Sequence, residues 1–400
     1  MPSEQLSFSL PAEESMPIEW QPTDDEIACA LELNTLSTFR SQFRRLRTRL
    51  HSFRAMIETP VHELDMFPLD AVHLRDRYVE LRKSLEVGIE HKRLPKGVSV
   101  ITYFDERYPD QLKEIYSPPP ILFVRGDICF DFKTSLAIVG SRACSDYGRQ
   151  IAELFAYQLG SWGFTILSGG ARGIDSIAHI AALKAGGKTI AIFGCGIDLV
   201  FPAENRKLFN QIAESGALVS EFPIGTIPDK FNFPLRNRII AAMSRGTLVV
   251  EAPVKSGALI TADLALQTHR EVFAVPGRLS DMRSKGTNLL IRDGAHPALD
   301  PSDIPLRFGL IVIEDPIQDS AKAASQLQGD EALVYAGVGL EAKSVDVLIR
   351  EIGLPAPRVL ASLLMLLTRG LVRELSGSRF VRPVGSINHP GNAQSLQPTD

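Results

Sequence analysis

Four hundred residues, 44% hydrophobic and 22% charged, describe an ordinary globular chain long enough for two or three domains. A formal net charge of −4 excludes a protein that coats nucleic acid through bulk positive charge, while leaving a local basic groove open. No apolar run approaches the ~20 residues of a bilayer span, and the acidic start MPSEQLSFSLPAEESMP lacks a signal-peptide pattern, so a cytoplasmic protein without membrane contact is expected.

In chain order, residues 1–25 are polar and Pro/Glu-rich and read as a disordered N-terminus. Residues 26–97 read as a helical, SAM-like domain. Phe43, Leu46, Leu50 and Phe53 fall at helical spacing and form one apolar stripe. Arg40, Arg44, Arg45, Arg47, Arg49 and Arg54 surround that stripe and are taken as a solvated helix face in preference to a nucleic-acid contact.

From 98 to 309, short β-rich runs alternate with amphipathic stretches. SLAIVG (135–140), FTILS (164–168), KTIAIFG (188–194), ALVSE (217–221), GTLVVEA (246–252) and EVFAVP (271–276) are predicted strands. YGRQIAELFAYQLGSWG and GALITADLALQTHRE are predicted helices, and VSVITYF and ILFVRG upstream are expected to add edge strands. Apolar strands separated by helices imply an α/β fold, a Rossmann-like, doubly wound, mostly parallel sheet covered on both faces. Residues 310–332 read as a linker. Residues 333–383 read as a winged-helix-like domain, with SVDVLIREIG and PAPRVLASLLMLLTRG as its helix-turn-helix and LVREL-SGS-RFVRP as its wing. The tail 384–400 is expected to be disordered.

In such a sheet, ligands sit beyond the carboxyl ends of the strands. The segments there combine glycine or small hydroxyl residues with basic residues or helix starts: GSRACSDYG, SGGARGID, GCGIDLVFPAEN, FNFPLRNRII and VEAPVKSGALITA. That set suits an anion, because amides at helix starts carry positive partial charge and glycine admits a phosphate closely. A dinucleotide fingerprint GxGxxG and a GxxxxGK[ST] loop are both missing, which disfavours an NAD or ATP enzyme. Nucleotide phosphate or glycosidic-bond chemistry on a similar sheet stays open, with Glu221 and Glu251 near strand ends, although no paired carboxylate motif supports hydrolysis. A nucleic-acid backbone is the third reading: Arg142, Arg172, Lys188, Arg236, Arg238 and Lys255 lie close to predicted strand ends, and Phe193, Phe231 and Phe233 offer stacking faces. Against it stand core packing for Phe193 and a buried ion pair of Arg236 or Arg238 with Asp175 or Glu251. A pure interaction scaffold, with purely structural glycine turns, is a further alternative. Four scattered cysteines (Cys29, Cys129, Cys144 and Cys195) make no CxxC pair or Cys/His cluster, so neither a metal site nor a disulfide framework is predicted.

Over roughly 98–300 the chain resembles the DNA-processing protein A (DprA, or Smf) family. The resemblance rests on IVGSRACSDYG, SGGARGIDSIAH, GGKTIAIFGCGIDLVFPAENRKL, LVSEFPIGTIPDKFNFPLRNRIIAAMS, LVVEAPVKSGALITADLAL and VFAVPGRLSDMRSKGTNLLIRDGA, six motifs in one order. It implies a protein without catalysis or cofactor that binds single-stranded DNA, protects it, loads the RecA recombinase during natural transformation and forms homodimers. On the matching motifs it implies Arg142 and Lys188 as principal DNA contacts. Arg172, Arg236 and Arg238 would line the pocket or order its loops, with Lys255 beside them. Gly140, Ser141, Gly169, Gly170, Gly173, Ser256 and Gly257 would hold phosphate. The family's glycine-marked N-terminal helix-hairpin is not matched by LNTLSTFRSQFRRL. The recognition helix of the winged helix offers only Arg358, Ser362 and Thr368 as polar readers, so that domain is expected to be a packing or partner module, not a duplex reader.

Overall fold

The computed structural model describes residues 24–34, 43–44, 46–48, 50–58, 94–310, 327–339, 342–375 and 377–382. The expectations for residues 1–23, for Arg40, Arg45 and Arg49, for 311–326 and for the tail from 384 lie outside them.

The apolar runs of the middle segment pair into one sheet of nine strands: β1 (Val98–Thr102), β2 (Ile121–Gly126), β3 (Ser135–Val139), β4 (Thr165–Ser168), β5 (Thr189–Ile192), β6 (Ala217–Ser220), β7 (Gly246–Val249), β8 (Glu271–Ala274) and β9 (His296–Pro297). Their order is β1-β2-β6-β5-β4-β3-β7-β8-β9. All pairs from β6 to β9 are parallel, while β1–β2 and β2–β6 are antiparallel. The six expected central strands are present. Of the two expected edge strands, β1 is an edge and β2 lies inside it; the short β9 at the far edge was not expected.

Period-two alternation sorts the side chains. Leu136 and Ile138 of β3 join one buried layer, with α4 (Asp146–Ser161) and α5 (Ile174–Lys184). Ala137 and Val139 join the other, with α7 (Asn232–Ala242) and α8 (Gly257–Gln267). The remaining helices of this region are α3 (Asp110–Lys113), α6 (Arg206–Ser215), α9 (Lys285–Arg292) and α10 (Asp303–Arg307).

Upstream, α1 (Asp24–Asn34) and α2 (Phe53–Glu58) pack on the β1–β2 end of the sheet, burying Leu33, Phe43, Phe53 and Met56 with Phe123 and Phe209. Phe43, Leu46, Leu50 and Phe53, the expected stripe, all pack into this one core. Leu50 N donates to Leu46 O at 2.9 Å, and after a break a new helix starts at Phe53. Ser52 caps that start by accepting from the Ala55 amide at 3.0 Å, and Glu26 accepts from Arg54 N at 3.0 Å. The Phe43 and Phe53 rings then stack across the break at 5.6 Å. Arg44 and Arg47 lie over the rings of Tyr116 and Tyr103, so both cations contact the protein's own surface.

The C-terminal unit has α11 (Gly329–Gly337), α12 (Val345–Ile352) and α13 (Ala356–Thr368), with β10 (Lys343–Ser344), β11 (Arg373–Leu375) and β12 (Arg379–Val381) in the order β10-β12-β11. Val334, Leu348, Val359, Leu363 and Phe380 form its own core. This is the expected winged helix. Among the described residues no single helix is long and apolar enough to cross a membrane.

Candidate nucleic-acid interface

From β3 the chain winds through β4, β5 and β6 on one side, then returns to β7, β8 and β9 on the other. Strand order therefore reverses between β3 and β7, where connections diverge and leave a crevice at the carboxyl ends. A cavity of about 600 Å³ lies there. Gly140–Ala143 after β3 and Pro253–Ala258 after β7 form two of its walls, and Lys230, Phe233, Arg236 and Asn237 at the start of α7 form the third.

Of the turn Ser168–Gly173 only Ala171 lines this cavity, and two of the turn's amides are taken up internally. Asp175, in the first turn of α5 and itself on the cavity wall, accepts from Gly169 N at 3.1 Å and Ala171 N at 3.3 Å. Each glycine answers a close neighbour. A Cβ on Gly169 would lie 2.5 Å from the Arg236 guanidinium. Gly170 has φ +65° and packs against Phe209. Gly173 has φ +75° and leaves no room for a side chain beneath the Ser141 carbonyl. Gly169, Gly170 and Gly173 are thus bare for internal packing and do not line the cavity. Gly140 and Ser141 do line it, but the Ser141 amide donates to Glu251 O at 2.8 Å. Ser256 caps α8, Gly257 is exposed, and both border the cavity at a helix N-terminus.

The expected cations divide the same way. Arg142 is exposed and borders the cavity with its guanidinium 5.0 Å from the Phe233 ring centroid. Lys255 is exposed on the opposite wall. Arg236 is 4% exposed. It donates to Gly169 O at 2.7 Å, to Ile192 O and to Asn237 Oδ1 at 3.2 Å, tying the β4 turn and β5 to α7. Burial lowers its pKa to about 10, against the charge of nearby Asp175; burial in turn raises the Asp175 pKa.

Three expected contacts are displaced. Lys188 precedes β5 and so stands on the amino rim of the sheet, away from the cavity; its ammonium pairs with Asp127 at 2.7 Å. Arg238 is two residues from Arg236, which on a helix turns it to another side, and it pairs bidentately with buried Glu221 at 2.9 and 2.7 Å. Arg172 points outward and pairs with Glu204. Other cations on or near the amino rim are likewise paired, Arg270 with Glu114 and Arg307 with Glu271. Around the cavity, Arg142, Lys230 and Lys255 have no carboxylate partner among the described residues.

Lys230 was missed in the sequence, although it stands one residue before the aromatic pair Phe231 and Phe233. Its ammonium lies 5.0 Å from the Phe231 ring centroid, and that ring is 69% exposed. Phe233 stacks with Phe201 at 5.9 Å. Phe193 is buried against Phe209, a core residue. Glu251 is buried and holds the start of α4, accepting from the Ser145 amide at 2.8 Å and from its hydroxyl. Among the described residues no three His, Cys, Asp or Glu side chains are grouped to hold a metal ion. On α13, Arg358 pairs with Asp330 at 2.5 Å, Ser362 is buried, and the Thr368 hydroxyl donates to Met365 O at 2.8 Å. Leu360, Leu364 and Met365 are exposed instead.

Fold and site together define a Rossmann-like domain, with a cavity at its switch point, and a winged helix. The sequence model of the family described as DNA recombination-mediator protein A matches residues 99–308, and that of the DprA winged helix domain matches 318–378. The chain is 41% identical over 308 residues to Protein Smf of Escherichia coli, covering 75% of this chain and 81% of that protein. It is 43% identical over 233 residues to DNA processing protein DprA of Streptococcus pneumoniae, covering 58% and 80%. The X-ray structure of DprA from Streptococcus pneumoniae superposes with a TM-score of 0.56 at 33% identity, covering 70% of this chain and 94% of that one. The chain belongs to the DNA recombination-mediator protein A (DprA/Smf) family.

Proposed function

We propose that this protein is a single-stranded-DNA-binding recombination mediator with no turnover of its own. It takes incoming single strands into the switch-point cavity, protects them, and loads the RecA recombinase on them during natural transformation, as a homodimer in the cytoplasm. What carries this reading is the charge arrangement: on a chain of net charge −4, Arg142, Lys230 and Lys255 converge without carboxylate partners on one cavity. Such cations attract phosphate irrespective of sequence. The exposed ring of Phe231 beside them suits an unstacked base, which a duplex does not offer, while Phe233 is engaged by Arg142 and Phe201. The mediator role and the RecA partner are supported by the family to which the chain belongs.

Carboxylate chemistry is disfavoured by the engagement of each candidate. Glu221 is bound to Arg238, Glu251 to Ser145, and Asp175 to two amides. None is poised as a general base with a proton to take from a ligand.

Fluorescence anisotropy of a labelled single-stranded oligonucleotide, competed by duplex and by mononucleotides across a salt series, tests the reading. Salt-sensitive binding resisted by duplex and mononucleotide is expected. Competition by mononucleotide alone, with release of a product, would favour the nucleotide enzyme.

A further inference from the structure

The segment after β8 is held as a rigid shelf. Asn288 on α9 clamps it, accepting from Gly277 N at 3.1 Å and donating to Gly277 O at 3.0 Å. The Tyr147 hydroxyl donates to Pro276 O at 3.1 Å, and Ser284 is buried against Gly277. The shelf abuts the cavity wall: Gly286 N donates to Ala252 O at 2.8 Å, and Gly286 packs on the Pro253 carbonyl. Lys285 therefore stands one residue from the residue that touches that wall.

With its polar groups turned inward, this shelf presents an unusual outer face. Arg278 and Lys285 are exposed and have no carboxylate partner among the described residues. Arg283 pairs with Asp281 at 3.2 Å, and Glu251 and Asp146 act on it through space. Asp281 also feels Arg278. Leu279 is 84% exposed and Met282 60% exposed, so two large apolar side chains stand beside two unpaired cations. On the opposite flank of the cavity, Glu204 neutralises Arg172, and both carboxylate oxygens of Asp198 accept from Gly225 N. On the β7–β8 side Arg278 and Lys285 extend the unpaired positive charge; on the other flank Arg206 and Lys207, at the start of α6, are also exposed without a carboxylate partner among the described residues.

We propose that the carboxyl ends of β7 and β8 carry a second subsite for the same strand. The strand leaves the cavity past Lys255, crosses Lys285 and Arg278 with its phosphates, and lays sugars and bases on Leu279 and Met282. This rests on the single-strand reading above and adds direction and length to it. Alternating cations and apolar faces are what an unstacked strand requires, whereas a mononucleotide reaches only the cavity.

The test compares two strand lengths, about six and about twenty nucleotides, the shorter near the site size of one small binding fold. In the full-length protein, the Arg278→Ala/Lys285→Ala variant should bind the short strand as the wild type does. For the long strand its affinity should fall several-fold, and the salt slope should flatten by about 0.7 per lost phosphate contact. The charge-preserving Arg278→Lys/Lys285→Arg variant should restore long-strand binding. Arg142→Ala, by contrast, should weaken both lengths. Unchanged long-strand affinity and slope in the double alanine variant would overturn the subsite, as would a changed oligomeric state with strand affinity intact, which would make the shelf a protein contact. No binding of either strand by the wild type would instead overturn the single-strand reading itself.

Discussion

Replacing Arg142 with alanine removes a guanidinium that has no carboxylate partner and stands at the mouth of the cavity. Strand binding should weaken alike across sequences, and the salt slope should drop by about 0.7, as read by anisotropy. Lys188→Ala should leave both untouched, because its ammonium sits on the far rim with Asp127. The same contrast holds for two glycines. Gly169→Ala drives a methyl to within 2.5 Å of a buried guanidinium and should cost about 1–3 kcal/mol in urea unfolding. Gly257→Ala meets nothing within 4 Å at the first turn of α8, so stability should hold or rise by about 0.5–1 kcal/mol. Both positions are glycines in glycine-rich turns. Only their neighbours, which come from α7 in one case and from solvent in the other, distinguish them.

At the scale of elements, α5 carries a pH response. His179, one turn after Asp175, is fully buried between α5 and β5. Its Nδ1 lies 2.7 Å from the Thr189 hydroxyl, which itself donates to Ile166 O, so Nδ1–H is the donor. Burial, with the charge of Arg236 second, lowers its pKa from 6.5 to about 3. Between those values the unfolded chain binds a proton that the folded chain refuses, so stability falls as pH falls. Going from about pH 7 to pH 5.5 should cost roughly 1.2 kcal/mol from this group. Asp175, whose pKa is raised, acts in the opposite sense above its unfolded value of 3.8. Urea midpoints at the two pH values should converge in His179→Gln relative to the wild type; an identical drop in both would remove His179 as the cause. In the winged helix, Arg358 is held by Asp330 on α11, so Arg358→Ala should leave duplex affinity unchanged in a gel-shift titration. A loss there would make α13 a groove reader.

For the whole molecule, charge is segregated by the direction of the strands. Parallel strands place all their carboxyl ends on one rim, and there Arg142, Lys230 and Lys255 remain unpaired over one cavity, while Lys188 and Arg270 on the other rim are neutralised. A protein of net charge −4 should therefore bind a short single strand with a salt slope near −2, about 0.7 for each of three phosphate contacts. A slope near zero would show that the cavity does not hold a phosphate backbone.

Apolar periodicity and strand–helix alternation were enough to place the sheet, both helical layers and the winged helix, because burying both faces of a parallel sheet demands those patterns from each segment separately. The position of the switch-point cavity also follows from chain order. Partnership does not. Whether an arginine meets a ligand or a carboxylate depends on which residue, tens of positions away, the fold sets beside it: Glu221 for Arg238, Glu204 for Arg172, Asp127 for Lys188. Likewise the SGGARG turn reads as a phosphate cradle until Asp175 is seen to occupy two of its amides, those of Gly169 and Ala171. Local composition sets what each segment can become, whereas electrostatic pairing and close backbone approach are long-range, and only the tertiary structure decides them.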